Sequence, residues 1–182
     1  MSRLKTFLEL VKIKITFAVM FTTIAGYVLY NNEFSWHMVL SVLGILLLAC
    51  ASAALNHIQE IRFDALMERT RNRPIPSGRI SVSQAWAIVV ILAIAGLYII
   101  YRGSNLTAML LGLSAMFWYN IIYTYLKRYT AYAVIPGSVI GSIPPLVGWV
   151  AAGGSLLSPF AVLLAIFFFI WQVPHFWLLL MK

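Results

Sequence analysis

The sequence predicts an all-α, polytopic transmembrane helical bundle, on three observations. Of 182 residues, 62% are hydrophobic and only 10% are charged, whereas a soluble domain carries about a quarter charged residues. Mean hydropathy is +0.91, so lipid is the solvent that this composition requires. Apolar stretches near the ~20 residues needed to cross hydrocarbon recur at roughly 11–30, 38–58, 82–101, 105–123, 131–150 and 159–180. These six spans are read as one transmembrane domain covering 1–182.

Each element has its own signal. The first span follows Arg3 and Lys5 and holds Lys12 and Lys14 in its opening turns, where their stems can snorkel to the interface. No small-residue cleavage site follows a short apolar core, so neither a signal nor a transit peptide is expected. That favours a bacterial inner membrane over an organelle. The second span starts near Trp36 and His37, which read as interfacial, and contains the sole cysteine. Cys50 has no intrachain disulfide partner and reads as a small buried hydrophobe. The stretch from Gln59 to Ser81 is long and charged, and Pro74, Pro76 and Gly78 turn it back toward the membrane. Spans three to six are joined by short loops. The fourth ends in Tyr123-Thr124-Tyr125-Leu126-Lys127-Arg128, and the sixth carries Trp171-Gln172-Val173-Pro174-His175.

Charge placement orients the bundle and narrows its partners. With a cytoplasmic N-terminus, twelve of the 13 cations lie in inside segments, and only Arg102 lies outside. This is the positive-inside pattern of a multi-pass protein. The net charge of +8 is thereby explained at span ends, so nucleic acid is not an expected partner and the lipid bilayer is.

The acids are few and concentrated. Only Glu9, Glu33, Glu60, Asp64 and Glu68 occur. With Asn56, three of them give the series 56, 60, 64, 68, and residues four apart share a helix face. Asn56, Glu60 and Asp64 would form a polar stripe at the cytoplasmic end of the second span. One account is a solvated, salt-bridged helix face. Like charges at this spacing destabilise a helix, however, and Arg62 and Arg69 offer part of the compensation. A divalent cation offers more, and oxygen-only ligands point to Mg2+ rather than zinc. Directly downstream, Arg69, Arg71 and Arg73 either serve the positive-inside loop or meet a diphosphate, whose oxygens suit guanidinium groups. His57 lies about 100° around the helix from Asn56 and reads as interfacial.

The run Asn56-x-x-x-Glu60-x-x-x-Asp64-x-x-Met67-x-Arg69-Thr70-x-x-Arg73-Pro74 resembles the first acidic motif of the UbiA-type intramembrane prenyltransferases. The resemblance implies that Asn56, Glu60 and Asp64 are catalytic residues holding Mg2+ and a polyprenyl diphosphate, with Arg69 and Arg73 on phosphate. Tyr123 and Lys127 are similar to the family's Tyr-x-x-x-Lys element, which helps hold diphosphate; an aromatic belt with interfacial cations is the other account. Pro136-Gly137, Ser142 through Trp149 and Trp171-Gln172-x-Pro174-His175 resemble the branch that farnesylates haem. That branch implies farnesyl diphosphate and haem B as substrates, with haem A synthase or terminal-oxidase assembly as candidate partners. His175 is then placed to meet haem iron or a propionate, or else to make an interhelical hydrogen bond.

The sequence departs from the family pattern in three places. Glu60 stands where aspartate is commoner, and Arg62 stands where this branch often has a further aspartate. A second acidic motif is expected shortly after Lys182, so the chain reads as C-terminally incomplete, with six spans of about nine. Two other functions fit the acids less well. One is prenylation of an aromatic quinone precursor, against which the haem-like segments argue. The other is an ion-coupled transporter, which would place such groups near the midplane on broken helices.

Overall fold

The computed structural model describes residues 2–180, with side chains described through residue 174. Helices run in the order α1 (Arg3–Leu10), α2 (Ile13–Tyr30), α3 (Trp36–Gln59), α4 (Ile61–Leu66), α5 (Val82–Gly103) and α6 (Leu106–Phe117). A π-helical turn, Trp118–Tyr123, joins α6 to α7 (Thr124–Leu126), and a short 3-10 turn precedes α8 (Val134–Ala151) and α9 (Pro159–Leu180). Among the described residues, five segments are long and apolar enough to cross a membrane: Ile13–Tyr30, Trp36–Gln59, Val82–Gly103, Leu106–Leu126 and Ala131–Ala151. In α9, residues Pro159–Pro174 form a shorter apolar stretch. The chain is a multi-pass membrane protein.

Helix starts follow capping chemistry. Ser35 accepts from the Met38 N–H at 3.2 Å, and Asn105 accepts from the Ala108 N–H at 2.9 Å. Ser81 and Gln84 form a reciprocal capping box at α5, satisfying two otherwise orphaned N–H donors. The first span opens at Ile13 rather than 11, because Lys12 adopts a left-handed conformation (φ 50°) that separates α1 from α2. A non-glycine residue there is strained and worth a functional explanation.

The helices pack pairwise, α3 on α5 and α2 on α8, with α9 against α8. Small residues permit the approach: a Cβ on Gly26 would run into the Pro145 carbonyl, and one on Gly148 into the Thr23 carbonyl. Membrane helices associate through such close packing, since lipid gives no hydrophobic drive between them. Ile45, Leu48, Ile100, Val147 and Trp149 belong to the main core, whereas Phe21, Ile91, Ile94 and Phe167 face outward, as lipid contact demands. A second cluster of Leu10, Ala54, Ile75, Ala85 and Val89 lies where α3 ends. Buried Ile75 pins the 67–81 loop there, so the loop's arginines are anchored over the end of α3.

Candidate functional site

At this polar end the chain gathers α1, the last turn of α3, α4, the 67–81 loop and the segment from the π turn to Arg128. The four-residue series is only partly a helix face. α3 stops at Gln59, and Glu60 caps it with φ −101° and ψ 4°, outside helical geometry. Backbone bonds nonetheless continue across the break, Glu60 N–H to Asn56 O at 3.0 Å and Asp64 N–H to Glu60 O at 2.8 Å. Asn56, Glu60 and Asp64 therefore stay in register. Met67 is extended, which carries Glu68 away to an exposed pair with Arg71 at 3.9 Å.

Each of the three oxygen-bearing side chains meets its own cation, and each cation comes from a different element. Lys12 Nζ donates to Asn56 Oδ1 at 2.7 Å. Lys127 Nζ lies 2.7 Å from Glu60 Oε1. Arg73 Nη1 donates to both oxygens of Asp64 at 2.8 Å. Asn56 is fully buried and Asp64 is 4% exposed, and a buried carboxylate needs such a partner. The compensation expected from Arg62 and Arg69 is corrected here: both are exposed, and Lys127 and Arg73 supply it instead.

Surrounding bonds fix these groups. Asn56 Nδ2 donates to Thr124 Oγ1 at 3.1 Å, and that hydroxyl donates to Tyr119 O at 2.9 Å. Thr70 Oγ1 donates to Asp64 O at 3.0 Å, tying the arginine loop to α4. The π turn shifts register so that Asn120 and Thr124 point at α3 while Tyr123 lies under Lys127, its ring centroid 5.5 Å from Nζ. π-turns of this kind recur at functional sites. Tyr119 and Tyr123 stack with centroids 5.7 Å apart. Arg128 donates to Gln59 O at 3.1 Å and lies over the rings of Phe63 and Tyr125.

A cavity of about 720 Å³ opens beside this cluster, lined by Lys5, Glu9, Lys12, His57, Arg69 and Arg73 among others. Glu9 is bound to Arg79 at 2.6 Å, so the wall is predominantly cationic. Burial pushes the Lys12 ammonium, which precedes the first span, down to about 8, with Arg73 and Lys127 adding to the fall against the pull of Glu60 and Asp64.

Of the residues expected at a site, the structure brings Asn56, Glu60, Asp64, Arg73, Tyr123 and Lys127 together. Arg69 lies on the cavity wall rather than among the acids. The side chain of His175 lies outside the described residues. His57 was read as interfacial and is corrected, being 2% exposed, and Lys12, for which snorkelling was one account, binds Asn56. The left-handed break at Lys12 had no glycine or proline to announce it. His37 donates from Nδ1 to Gly103 O at 3.1 Å.

The donor set fits Mg2+. It comprises one amide oxygen and two carboxylates, all hard oxygen donors, although among the described residues no three His, Cys, Asp or Glu converge as a ready metal cage. Mg2+ is commonly held by one or two carboxylates together with substrate phosphates.

Both the sequence and the fold have counterparts among known proteins. Residues 19–182 match the UbiA prenyltransferase family, and the chain belongs to that family. Among individual relatives, the protoheme IX farnesyltransferase of Oleidesulfovibrio alaskensis is 39% identical over 170 residues, covering 93% of this chain and 60% of that protein. That of Flavobacterium psychrophilum is 42% identical over 175 residues, covering 94% and 58%. The chain therefore spans about 60% of the length of these relatives. In fold it is similar to a digeranylgeranylglyceryl phosphate synthase, with TM-score 0.80, 23% identity and coverage of 97% and 61%. A UbiA homologue from Archaeoglobus fulgidus bound to DMAPP and Mg2+ gives TM-score 0.74, 17% identity and coverage of 94% and 61%.

Proposed function

We propose that the chain carries the first half of the active site of a Mg2+-dependent prenyltransferase, one that transfers farnesyl from farnesyl diphosphate to a vinyl group of haem B to give haem O. The carrying observation is the alternation of Asn56, Glu60 and Asp64 with Lys12, Lys127 and Arg73. A metal diphosphate is itself an alternation of cation and anion, so it can take up both sets of partners. Similarity to proteins named protoheme IX farnesyltransferase supports the choice of acceptor.

The residues divide the work by charge. Asn56, Glu60 and Asp64 would hold Mg2+, which, when bound, neutralises charge on the leaving diphosphate. Breaking the allylic carbon–oxygen bond leaves the electron pair on diphosphate and positive charge on the prenyl chain. Arg73, Lys127 and Arg69 are placed to stabilise the first, and the stacked faces of Tyr119 and Tyr123 can stabilise the second. His175 is proposed to meet haem iron or a propionate. By charge distribution the polar end faces the cytoplasm of a bacterial inner membrane, with haem A synthase or the terminal-oxidase assembly machinery as candidate recipients of the product.

The test is turnover in membranes by the full-length protein with farnesyl diphosphate, Mg2+ and haem B, comparing wild type with Asp64→Ala. Haem O that forms in wild type and vanishes in the variant is expected. Prenylation of a hydroxybenzoate or naphthoate instead would move the acceptor to the quinone precursors. Silence with every acceptor from a folded protein would overturn the enzyme reading.

A further inference from the structure

We infer that His57 is an anion-binding residue of this site, its imidazole N–H donating to an oxyanion of the bound substrate. The inference rests on the prenyl-diphosphate reading above and deepens it. His57 occupies the last turn of α3, next to Asn56. It is 2% exposed, and neither ring nitrogen has a hydrogen-bond partner among the described residues. The large majority of buried polar groups in native proteins are hydrogen-bonded, and His57 is set apart from the other unpartnered atoms here by having both nitrogens unpartnered while lining a cavity, which marks a place where a ligand supplies the partner. An ordinary interfacial histidine would be wet, and this one is not.

The cavity identifies the ligand's chemistry. With His57 it is lined by Lys5, Lys12, Arg69, Asn72 and Arg73. Its one acid, Glu9, is held by Arg79. Glu60 and Asp64 do not line it. Ammonium and guanidinium groups only donate, so a wall rich in them takes a ligand with several acceptor oxygens. A metal held by His57 has no support, since among the described residues no three His, Cys, Asp or Glu group as a metal site. Two oxyanions enter the proposed reaction, the diphosphate and a haem propionate. The diphosphate is favoured, because Lys12 and Arg73 line this cavity and also bind Asn56 and Asp64.

The experiment uses the full-length protein in lipid nanodiscs and two probes, inorganic pyrophosphate with Mg2+ and haem B, titrated separately. His57→Leu is expected to weaken pyrophosphate binding about ten-fold or more, the loss typical of a hydrogen bond to a charged group. His57→Gln, which keeps an N–H donor, is expected to recover most of it. In turnover, KM for farnesyl diphosphate rises in His57→Leu while KM for haem B does not. Loss confined to haem affinity would support the inference with the propionate as the oxyanion. Unchanged affinity for both probes, with or without a lowered melting temperature, would overturn it. Wild type that fails to bind Mg-pyrophosphate at all would instead overturn the parent reading. If leucine prevents membrane insertion, His57→Val and His57→Asn repeat the comparison.

Discussion

Helix α3 carries a histidine near each end, and the two are built in opposite ways. His37, in the first turn, donates to Gly103 O at 3.1 Å and thereby ties α3 to α5. His57, in the last turn, is more deeply buried and has no partner among the described residues. The same contrast extends to the surroundings. At the His37 end, Tyr27 and Ser35 share a hydrogen bond at 2.6 Å and Ser41 donates to Gly103 O, so these groups satisfy one another, with the Ser104 hydroxyl beside them left over. At the His57 end, cations from three separate elements converge on Asn56, Glu60 and Asp64. Polar groups that satisfy one another hold helices together, whereas a buried imidazole left without a partner beside them is arranged for something that arrives.

The sharpest way to break this comparison is at Lys127. If its role were only to neutralise Glu60, then Lys127→Met would cost nothing further once Glu60→Gln is in place. If it also meets the diphosphate, Lys127→Met should slow product formation by about 100-fold, the usual cost of one preorganised donor to developing charge. Because Glu60 is itself proposed to hold Mg2+, the Glu60→Gln/Lys127→Met double variant is read against Glu60→Gln alone: it should be slower than that single variant by a similar factor, whereas a purely neutralising Lys127 would add no further loss. Steady-state turnover in membranes with farnesyl diphosphate decides the matter, and a double variant no slower than Glu60→Gln would reduce the pair to structure.

The body of the bundle should answer in the other currency, stability. Gly148→Ala places a methyl against the Thr23 backbone carbonyl at the α2–α8 crossing, where no flexible side chain can give way. Overpacking of this kind costs about 1–3 kcal/mol. Thermal unfolding in detergent should show a lowered midpoint, while pyrophosphate affinity of the folded fraction stays at the wild-type value. An unshifted midpoint would mean that the crossing is looser than its geometry indicates.

How much of this was legible beforehand follows the range of the forces involved. The spans follow from local hydropathy, and observed ends differ from expected ones by a few residues because caps and breaks set them. That Asn56, Glu60 and Asp64 share one face was readable from spacing, since the backbone ladder survives the break at Glu60. Glu68 satisfied the same spacing yet falls off the face, because extended Met67 interrupts it. Neither break contains a glycine or a proline. The burial of Lys12 and His57 was not legible because it depends on α1 and the 67–81 loop folding back over α3, through Arg79–Glu9 and buried Ile75. Those contacts are long-range and leave no periodic trace. The π turn at Trp118–Tyr123 is likewise invisible to hydropathy, although it aims Asn120, Tyr123 and Thr124.

At the satisfied end of α3, His37→Phe removes one hydrogen bond to Gly103 O and should cost about 1 kcal/mol. Thermal unfolding should register that loss, and titration with Mg-pyrophosphate should not. A fall in pyrophosphate affinity would show the two ends of α3 to be coupled, and the division drawn between them would fail.

The smallest effect is expected at Glu68, and it separates spacing from position. Glu68 belongs to the same four-residue series as Glu60 and Asp64, but its side chain is 87% exposed and its pair with Arg71 is long, at 3.9 Å. Exposed pairs of this kind contribute a few tenths of a kcal/mol at most. Glu68→Gln should therefore leave both the unfolding midpoint and turnover at wild-type values, where Asp64→Ala is expected to abolish turnover. Loss of turnover in Glu68→Gln would show that the acid reaches the metal diphosphate once substrate is bound. The functional stripe would then follow the sequence series through all three acids rather than stop where Met67 bends the chain.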